Sequence, residues 1–513
     1  MKKSIFALLL CLLLLLSACH TQPPTEAPTQ APTQPATDCS IRHTDEDDNG
    51  QCDLCDTSVL VMLEIYGVND LHGKLTDSSN QPGAEELTTY IRNLWDTVPN
   101  LLLLSMGDMW QGTAESNLTE GNMMTEWMNE MDFHAMALGN HEFDWGEAPV
   151  AENSQLAEFP FLAINIYERA TNQPVDYCQS STIVDMGMVQ IGLIGAIGDC
   201  YSSISSEQTE EIYFKTGSEL TGLVKKEAKK LREQGADYIV YMIHDGYGDT
   251  AKGTLPASKL RSYYDTSLSR GHVDVVFEAH THQRYVFQDE YGVYHIQGGG
   301  DNRGITHFKV EINAANGNNR VYRAEHLSNG AYARLEEDPL IDQLFEKYAD
   351  QIAPALKVVG YNARQRSGYE ARQLVADLYY QVGVERWGKE YDIALGGGFI
   401  SIRDPGHIPQ GEVTYGMLQG IFPFNNELVL CSVDGKHLQE KFFETDHYAY
   451  FISYGSYGEK LRKNIDPNAT YYIVVDSYTS TYGPNGLTEI ARYDPEVYAR
   501  DLLADYITAG GLD

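Results

Sequence analysis

Leu138-Gly139-Asn140-His141-Glu142-Phe143-Asp144-Trp145-Gly146 is the stretch from which the rest of the chain can be read. A carboxamide, an imidazole and two carboxylates follow an apolar approach, between glycines that let backbone come close. Asn140 offers a neutral oxygen to a hard or borderline cation. His141 can donate to an anion, and Asp144, three residues on, can hold its ring. Alone, the segment would pass for a polar turn closing a strand. Four further polar clusters, each ending an apolar run, change its meaning.

Residues 59–68, rich in β-branched side chains, run into Asn69-Asp70-Leu71-His72-Gly73. Residues 101–106 end in Gly107-Asp108, 238–243 in His244-Asp245-Gly246, and 273–277 in Glu278-Ala279-His280-Thr281-His282. Helical patterns lie between them, at 84–95 and 218–234. Strands alternating with helices predict an α/β fold, and ligands of such sheets collect at the carboxyl ends of the strands. Asp70 and His72 alternate by two along a strand end, so both can turn to one side, and His280 and His282 share that spacing. Asp70, His72, Asp108, Asn140, His244, His280 and His282 on one rim describe a metal site. Seven N and O ligands exceed the needs of one ion, so two divalent ions are expected, with Asp108 placed in chain order to bridge them. Carboxylate, imidazole and amide together suit zinc, manganese or iron better than magnesium or calcium.

This ordered series resembles the calcineurin-like metallophosphoesterases, and its GNHEFD form resembles their 5′-nucleotidase branch. Ala279 stands where that family usually has glycine. The resemblance implies a four-layer α/β/β/α domain in which one ion takes Asp70, His72, Asp108 and His282, and the other Asp108, Asn140, His244 and His280. His141, not a ligand, would face the phosphate and leaving group as a catalytic residue, with Asp144 orienting and charging its ring. Attack is expected in line, from a hydroxide held by both ions, without a phosphoenzyme.

The likeness extends from residue 58 to the end. Residues 58–335 read as the phosphoesterase domain, 336–362 as an inter-domain helical linker, and 363–513 as a mixed α/β 5′-nucleotidase C-terminal domain that binds substrate. In the linker Leu340, Ile341, Leu344, Phe345 and Tyr348 share one helical face. In that family two aromatic rings sandwich the base, arginines hold the substrate and an aspartate takes the ribose hydroxyls. Phe424, in its Pro-Phe setting, matches the first ring, and Tyr478 the second, as tyrosine for phenylalanine. Arg403 matches the arginine after the glycines Gly396-Gly397-Gly398, with two extra residues before it, and Arg366 an earlier arginine. Leu395 replaces an asparagine, and Tyr482-Gly483-Pro484-Asn485-Gly486 replaces Gly-Gly-Asp-Gly, leaving Asn485 nearest the aspartate.

The amino-terminal region has a different character. Residues 1–19 carry Lys2 and Lys3 before an apolar run and end in Leu-Ser-Ala-Cys, the layout of a bacterial lipoprotein signal with lipid attached at Cys19. Residues 20–38 are nearly all Pro, Thr, Gln and Ala, a stalk that cannot bury a core. Residues 39–57 make a small Cys/Asp module in which three chemistries compete. Asp45, Asp47, Asn49, Gly50, Asp53 and Asp56 fall on the positions of a calcium loop. Cys39, His43, Cys52 and Cys55 could make a Cys₃His zinc site. A disulfide is the third option.

Across 513 residues, 73 Asp and Glu stand against 37 Lys and Arg, a formal net charge of −36. This excludes wrapping a nucleic acid polymer, whose phosphates call for a basic footprint. The chain therefore reads as an extracellular, lipid-anchored, metal-dependent phosphomonoester hydrolase acting on small nucleotides, touching the membrane only through its anchor, with oligomeric state left open. Alternatives are a 2′,3′-cyclic nucleotide phosphodiesterase or nucleotide-sugar hydrolase on the same scaffold, or, in another class, a non-catalytic surface binding protein. The last would have no use for the charged His141–Asp144 pair.

Overall fold

Two β-sheets stacked face to face carry the first domain. One holds six strands, in the spatial order Asn319–Ser328, Gly304–Asn313, Leu60–Val68, Leu101–Ser105, Ala135–Ala137 and Phe161–Leu162. The other holds seven: Thr254–Leu255, Arg284–Asp289, Tyr294–Gly298, Val275–Glu278, Tyr238–His244, Gln190–Ile197 and Ser181–Asp185. This computed structural model describes residues 43–77, 83–403, 405–444, 452–493 and 497–512; Cys19, the 20–38 stalk and Cys39 lie outside the described residues.

Three apolar clusters separate four layers. Leu63, Ile65, Leu102 and Leu104 of the first sheet meet Leu193, Val240, Met242 and Phe277 of the second in the central core. Leu87, Ile91, Trp127 and Met128 cover the outer face of the first sheet, and Leu220, Val224 and Leu231 that of the second. The central strands are buried on both faces, which is why they read as continuous apolar runs rather than alternating ones. The four-layer α/β/β/α expectation for this domain is met.

Parallel pairing aligns the strand ends. Val68 pairs with Ser105 and Ser105 with Met136 in one sheet, while Ile243 pairs with Glu278 in the other. The loops that follow therefore emerge side by side on one rim, as open α/β sheets require.

The linker forms two short helices, Leu340–Lys347 and Ala349–Ile352, instead of one continuous helix. Leu340, Ile341 and Leu344 pack with Leu87 and Ile91, so the linker belongs structurally to the first domain's outer layer. The C-terminal part is built on a mixed sheet in the order Ile393–Gly396, Thr470–Asp476, Leu428–Asp434 and Thr488–Arg492. Helix Gly368–Trp387 begins in a capping box between Ser367 and Glu370 and lays Val375, Ala376 and Tyr379 on that sheet. No helix among the described residues is long and apolar enough to cross a membrane.

Candidate active site

All seven expected metal ligands meet on the rim. His282 Nε2 lies 3.5 Å from Asp70 Oδ1, and 3.1 Å from His72 Nε2. His244 Nε2 lies 3.1 Å from Asp108 Oδ2 and 4.0 Å from Asp70 Oδ1. Asp70, His72 and His282 form one potential metal-holding group, and Asp70, Asp108 and His244 a second. A third joins His244 and His280 with Cys200, a buried thiol that strand-end motifs could not reveal.

The two-residue spacing works for a reason other than strand alternation. Asp70, His72, Asp108, His280 and His282 all have φ between 50° and 65°. Non-glycine residues adopt this left-handed region at a cost, and such strain concentrates at functional sites. The chain has already left the strand and kinks at each ligand, turning its side chain inward. Gly139 is needed for a related reason: a Cβ there would stand 2.3 Å from Asp108 Oδ1 and 2.7 Å from His244 Cε1.

Glu142, for which the motif alone suggests no role, ties two ligand loops together. Its buried carboxylate accepts the backbone N–H of Gly139 at 2.7 Å, Asp108 at 2.9 Å and Met109 at 2.8 Å. Burial, with the Asp108 charge second, pushes its pKa up to about 7.

The donor chemistry fits metal ions. His72 Nδ1 donates to the Gln111 carbonyl at 2.8 Å, which leaves the Nε2 lone pair facing His282. Burial, reinforced by His282, pushes His72 down to about 3, so its ring is neutral. Burial, reinforced by His244, brings His280 down to about 4. Between His244 Nε2 and Asp108 Oδ2 either a proton or a cation must sit. Burial disfavours the charged imidazole, yet Asp108 outweighs it and raises His244 to about 10. Asn140 Oδ1 is buried and, among the described residues, has no hydrogen-bond partner. A buried acceptor left this way costs free energy unless a ligand takes it. Lone pairs and carboxylates converging on one largely buried rim suit a cation.

His141 stands beside these ligands with a different orientation. Its backbone N–H donates to Asp108 Oδ1 at 2.8 Å, and its Nδ1 lies 2.8 Å from Asp144 Oδ2. Burial opposes the imidazolium, but the Asp144 and Asp108 carboxylates outweigh it and hold the pKa above its ordinary value. Nε2 lies 3.2 Å from Arg403 Nη2, and the ring centroid is 5.3 Å from that of His72.

A cavity of about 450 Å³ joins the two domains here. Asn140, His141, Asp144 and His280 line it together with Phe424, Tyr478 and Arg403, and the Phe424 ring centroid lies 6.0 Å from that of His141. The Arg403 guanidinium lies 5.5 Å from the Phe424 ring centroid. Arg366 and Asn485 are not among the lining residues. Arg366 instead hydrogen-bonds Asn362 and the Leu512 carbonyl, and Asn485 is exposed in a turn. Arg372, Phe399 and Gln111 line the cavity without having been foreseen. Gln111 carries both amide atoms buried with no hydrogen-bond partner among the described residues. No motif marks these three, because only the packing of the domains turns them to one space.

Comparison with known proteins agrees with this geometry. The calcineurin-like phosphoesterase family matches residues 63–284. The chain is similar to Protein UshA of Yersinia enterocolitica, with 25% identity covering 88% of this chain and 89% of that one. It is also similar to a human 5′-nucleotidase, with 28% identity over 43% of this chain and 38% of the other. Among solved structures, a 5′-nucleotidase precursor from Thermus thermophilus shares the fold with a TM-score of 0.68 at 22% identity, over 88% of this chain and 96% of that one.

Proposed function

Residues 63–284 belong to the calcineurin-like phosphoesterases, and on that footing we propose that this chain is a metal-dependent 5′-nucleotidase acting outside the cell. The observation that carries the reading is one cavity lined both by the candidate ligands Asn140 and His280 and by the rings of Phe424 and Tyr478. A phosphate beside the candidate ligands and an aromatic base against the rings describe a nucleoside monophosphate. Stacking contributes roughly 1–3 kcal/mol per base and tolerates base identity.

In this reading Asp70, His72 and His282 would hold one ion and Asn140, His244 and His280 the other, with Asp108 shared. When bound, the ions supply Lewis acidity at the phosphoryl oxygens and a nucleophile at neutral pH. The protein's own part is to orient and to move a proton. Arg403 donates to the phosphate or to its leaving oxygen. His141, held by Asp144 through Nδ1, carries on Nε2 the proton that the departing 5′-oxygen needs. Arg403 Nη2 lies 3.2 Å from Nε2, so both groups reach the same part of the cavity, and an anion binding there would part them and take a hydrogen bond from each. The signal at residues 1–19, with Cys19 as lipid attachment, supports an anchored enzyme on the outer face of the membrane.

Phosphate release from AMP by the purified chain, with and without EDTA, tests the proposal. Activity that survives metal removal would overturn it. A panel adding 2′,3′-cyclic AMP and a nucleotide sugar separates the monoesterase from the two other activities this scaffold suggests.

A further inference from the structure

Residues 43–57 sit outside the region matched by the phosphoesterase family and serve no part of the catalytic cavity. They contain no helix or extended strand, only the isolated bridge between Gln51 and Ser58. Their buried apolar cluster consists of Cys52, Val59 and Ala315. A cluster this small cannot offset the conformational entropy of ordering the segment, and modules of this kind are held by a metal or a disulfide.

The segment is nonetheless ordered and docked. Asp45 Oδ1 accepts the Asn49 N–H at 2.9 Å, and Oδ2 accepts from Gly50 N at 3.0 Å and from Asn313 Nδ2 at 2.7 Å. Asp48 Oδ1 accepts from Asn316 Nδ2 at 3.0 Å and from Asn318 Nδ2 at 3.3 Å. These contacts clamp the module to the turn between Gly304–Asn313 and Asn319–Ser328. That turn adjoins Leu60, at the start of the strand whose far end carries Asp70. At about 3.3 Å per residue, the module lies roughly 25–30 Å from the catalytic rim.

Within it, His43, Cys52 and Cys55 bring their ligand atoms within 4.8 Å of one another. Cys55 Sγ is 3.8 Å from His43 Nδ1, a separation two ligands of one tetrahedral ion would show. The Cys-x-x-Cys turn is knuckled: the N–H groups of Cys55 and Asp56 both donate to the Cys52 carbonyl, at 3.3 and 2.9 Å. We propose that His43, Cys52 and Cys55 ligate a structural zinc ion that staples the module to the edge of the phosphoesterase domain. Two soft sulfurs and an imidazole are zinc's preferred donors, and binding would release the thiol protons. A disulfide would give the imidazole no reason to stand within reach of both sulfurs. Calcium at the neighbouring Asp45, Asp47 and Asp53 carboxylates would leave both thiols unused, so the thiolate band separates the two ions.

The test uses the full chain loaded with cobalt in place of zinc, and metal analysis of the zinc form. The intact protein should show a thiolate-to-cobalt charge-transfer band and one zinc equivalent beyond the catalytic complement. Both should vanish in Cys52→Ser/Cys55→Ser and in His43→Ala, and persist in Asp108→Ala. AMP hydrolysis by the cysteine variant should stay within about twofold of the parent, while its module becomes cleavable by protease. If the double serine variant fails to fold, His43→Ala with both thiols intact still reads the site. The proposal is overturned if the intact chain gives no thiolate band, or if its mass is lighter by two hydrogens with Cys52 and Cys55 crosslinked. It is equally overturned if calcium alone protects the module in the serine variant. These outcomes do not depend on whether AMP is the substrate.

Discussion

Glu142 Oε2 accepts the backbone N–H of Asp108 at 2.9 Å and, with the same oxygen, that of Gly139 at 2.7 Å. One buried carboxylate thus fixes the loop carrying Asp108 to the loop carrying Asn140. Glu142→Ala would strand three buried N–H groups, each costing about 1–3 kcal/mol when unsatisfied. The variant should melt several degrees lower and retain less metal after dialysis. A variant with parental metal content and parental melting temperature would contradict this role.

Asp108→Ala removes the carboxylate proposed to serve both ions. Its metal content, measured by mass spectrometry after gel filtration, should fall at both catalytic positions. Phosphatase activity should fall to background, matching the effect of EDTA on the parent.

His141→Ala should separate turnover from metal binding. Loss of a positioned proton donor lowers kcat by about 10²–10⁴-fold. Metal content should stay at the parental level, because the proposed ligand set does not include the imidazole, whose Nε2 is 3.2 Å from Arg403. Asp144→Asn should act in the same direction and also shift the pH profile, since the Asp144 charge is the largest of the influences raising the His141 pKa.

Phe424→Ala should raise KM for nucleotides while leaving kcat for p-nitrophenyl phosphate nearly unchanged. Stacking worth about 1–3 kcal/mol corresponds to roughly 5- to 150-fold in affinity. Arg403→Ala should weaken both kinds of substrate, because its guanidinium lies next to the phosphate end as well as to the ring.

A pH dependence of stability is expected from His295. The ring is buried, with Nδ1 2.5 Å from Glu278 Oε1 and Nε2 3.7 Å from Asp289 Oδ2. Burial disfavours its charge, but Glu278 and Asp289 outweigh burial and raise the pKa from 6.5 to about 9. A raised folded-state pKa contributes stability that is fully present below 6.5 and is lost as pH climbs through about 9. Thermal melts across this window should show a steeper alkaline decline for the parent than for His295→Gln. Parallel declines would refute the assignment.

Much of the metal site was legible because each ligand follows an apolar strand, and strand ends of an α/β sheet share one rim. Asp70, His72, Asp108, Asn140, His244, His280 and His282 all met on that account. The cavity's far wall was less legible. Phe424, Tyr478 and Arg403 line the cavity, whereas Arg366 turned to Asn362 and Leu512, and Arg372 lined the cavity instead. Arg366 lies in the short strand Arg366–Ser367 and Arg372 in helix Gly368–Trp387, and which of them reaches the cavity is a packing outcome that local spacing does not encode.

By itself, then, the chain's order of residues determined the α/β class and which polar residues gather on the candidate metal rim. These follow from hydrophobic periodicity and strand-end polarity, which are local. Only the tertiary structure decided that Glu142 braces two loops, that five ligands sit in left-handed backbone, and that Arg403 meets His141 across 262 residues of sequence. Those relationships arise when sheets stack and domains close, and the burial and close approach that create them exist only in the folded chain.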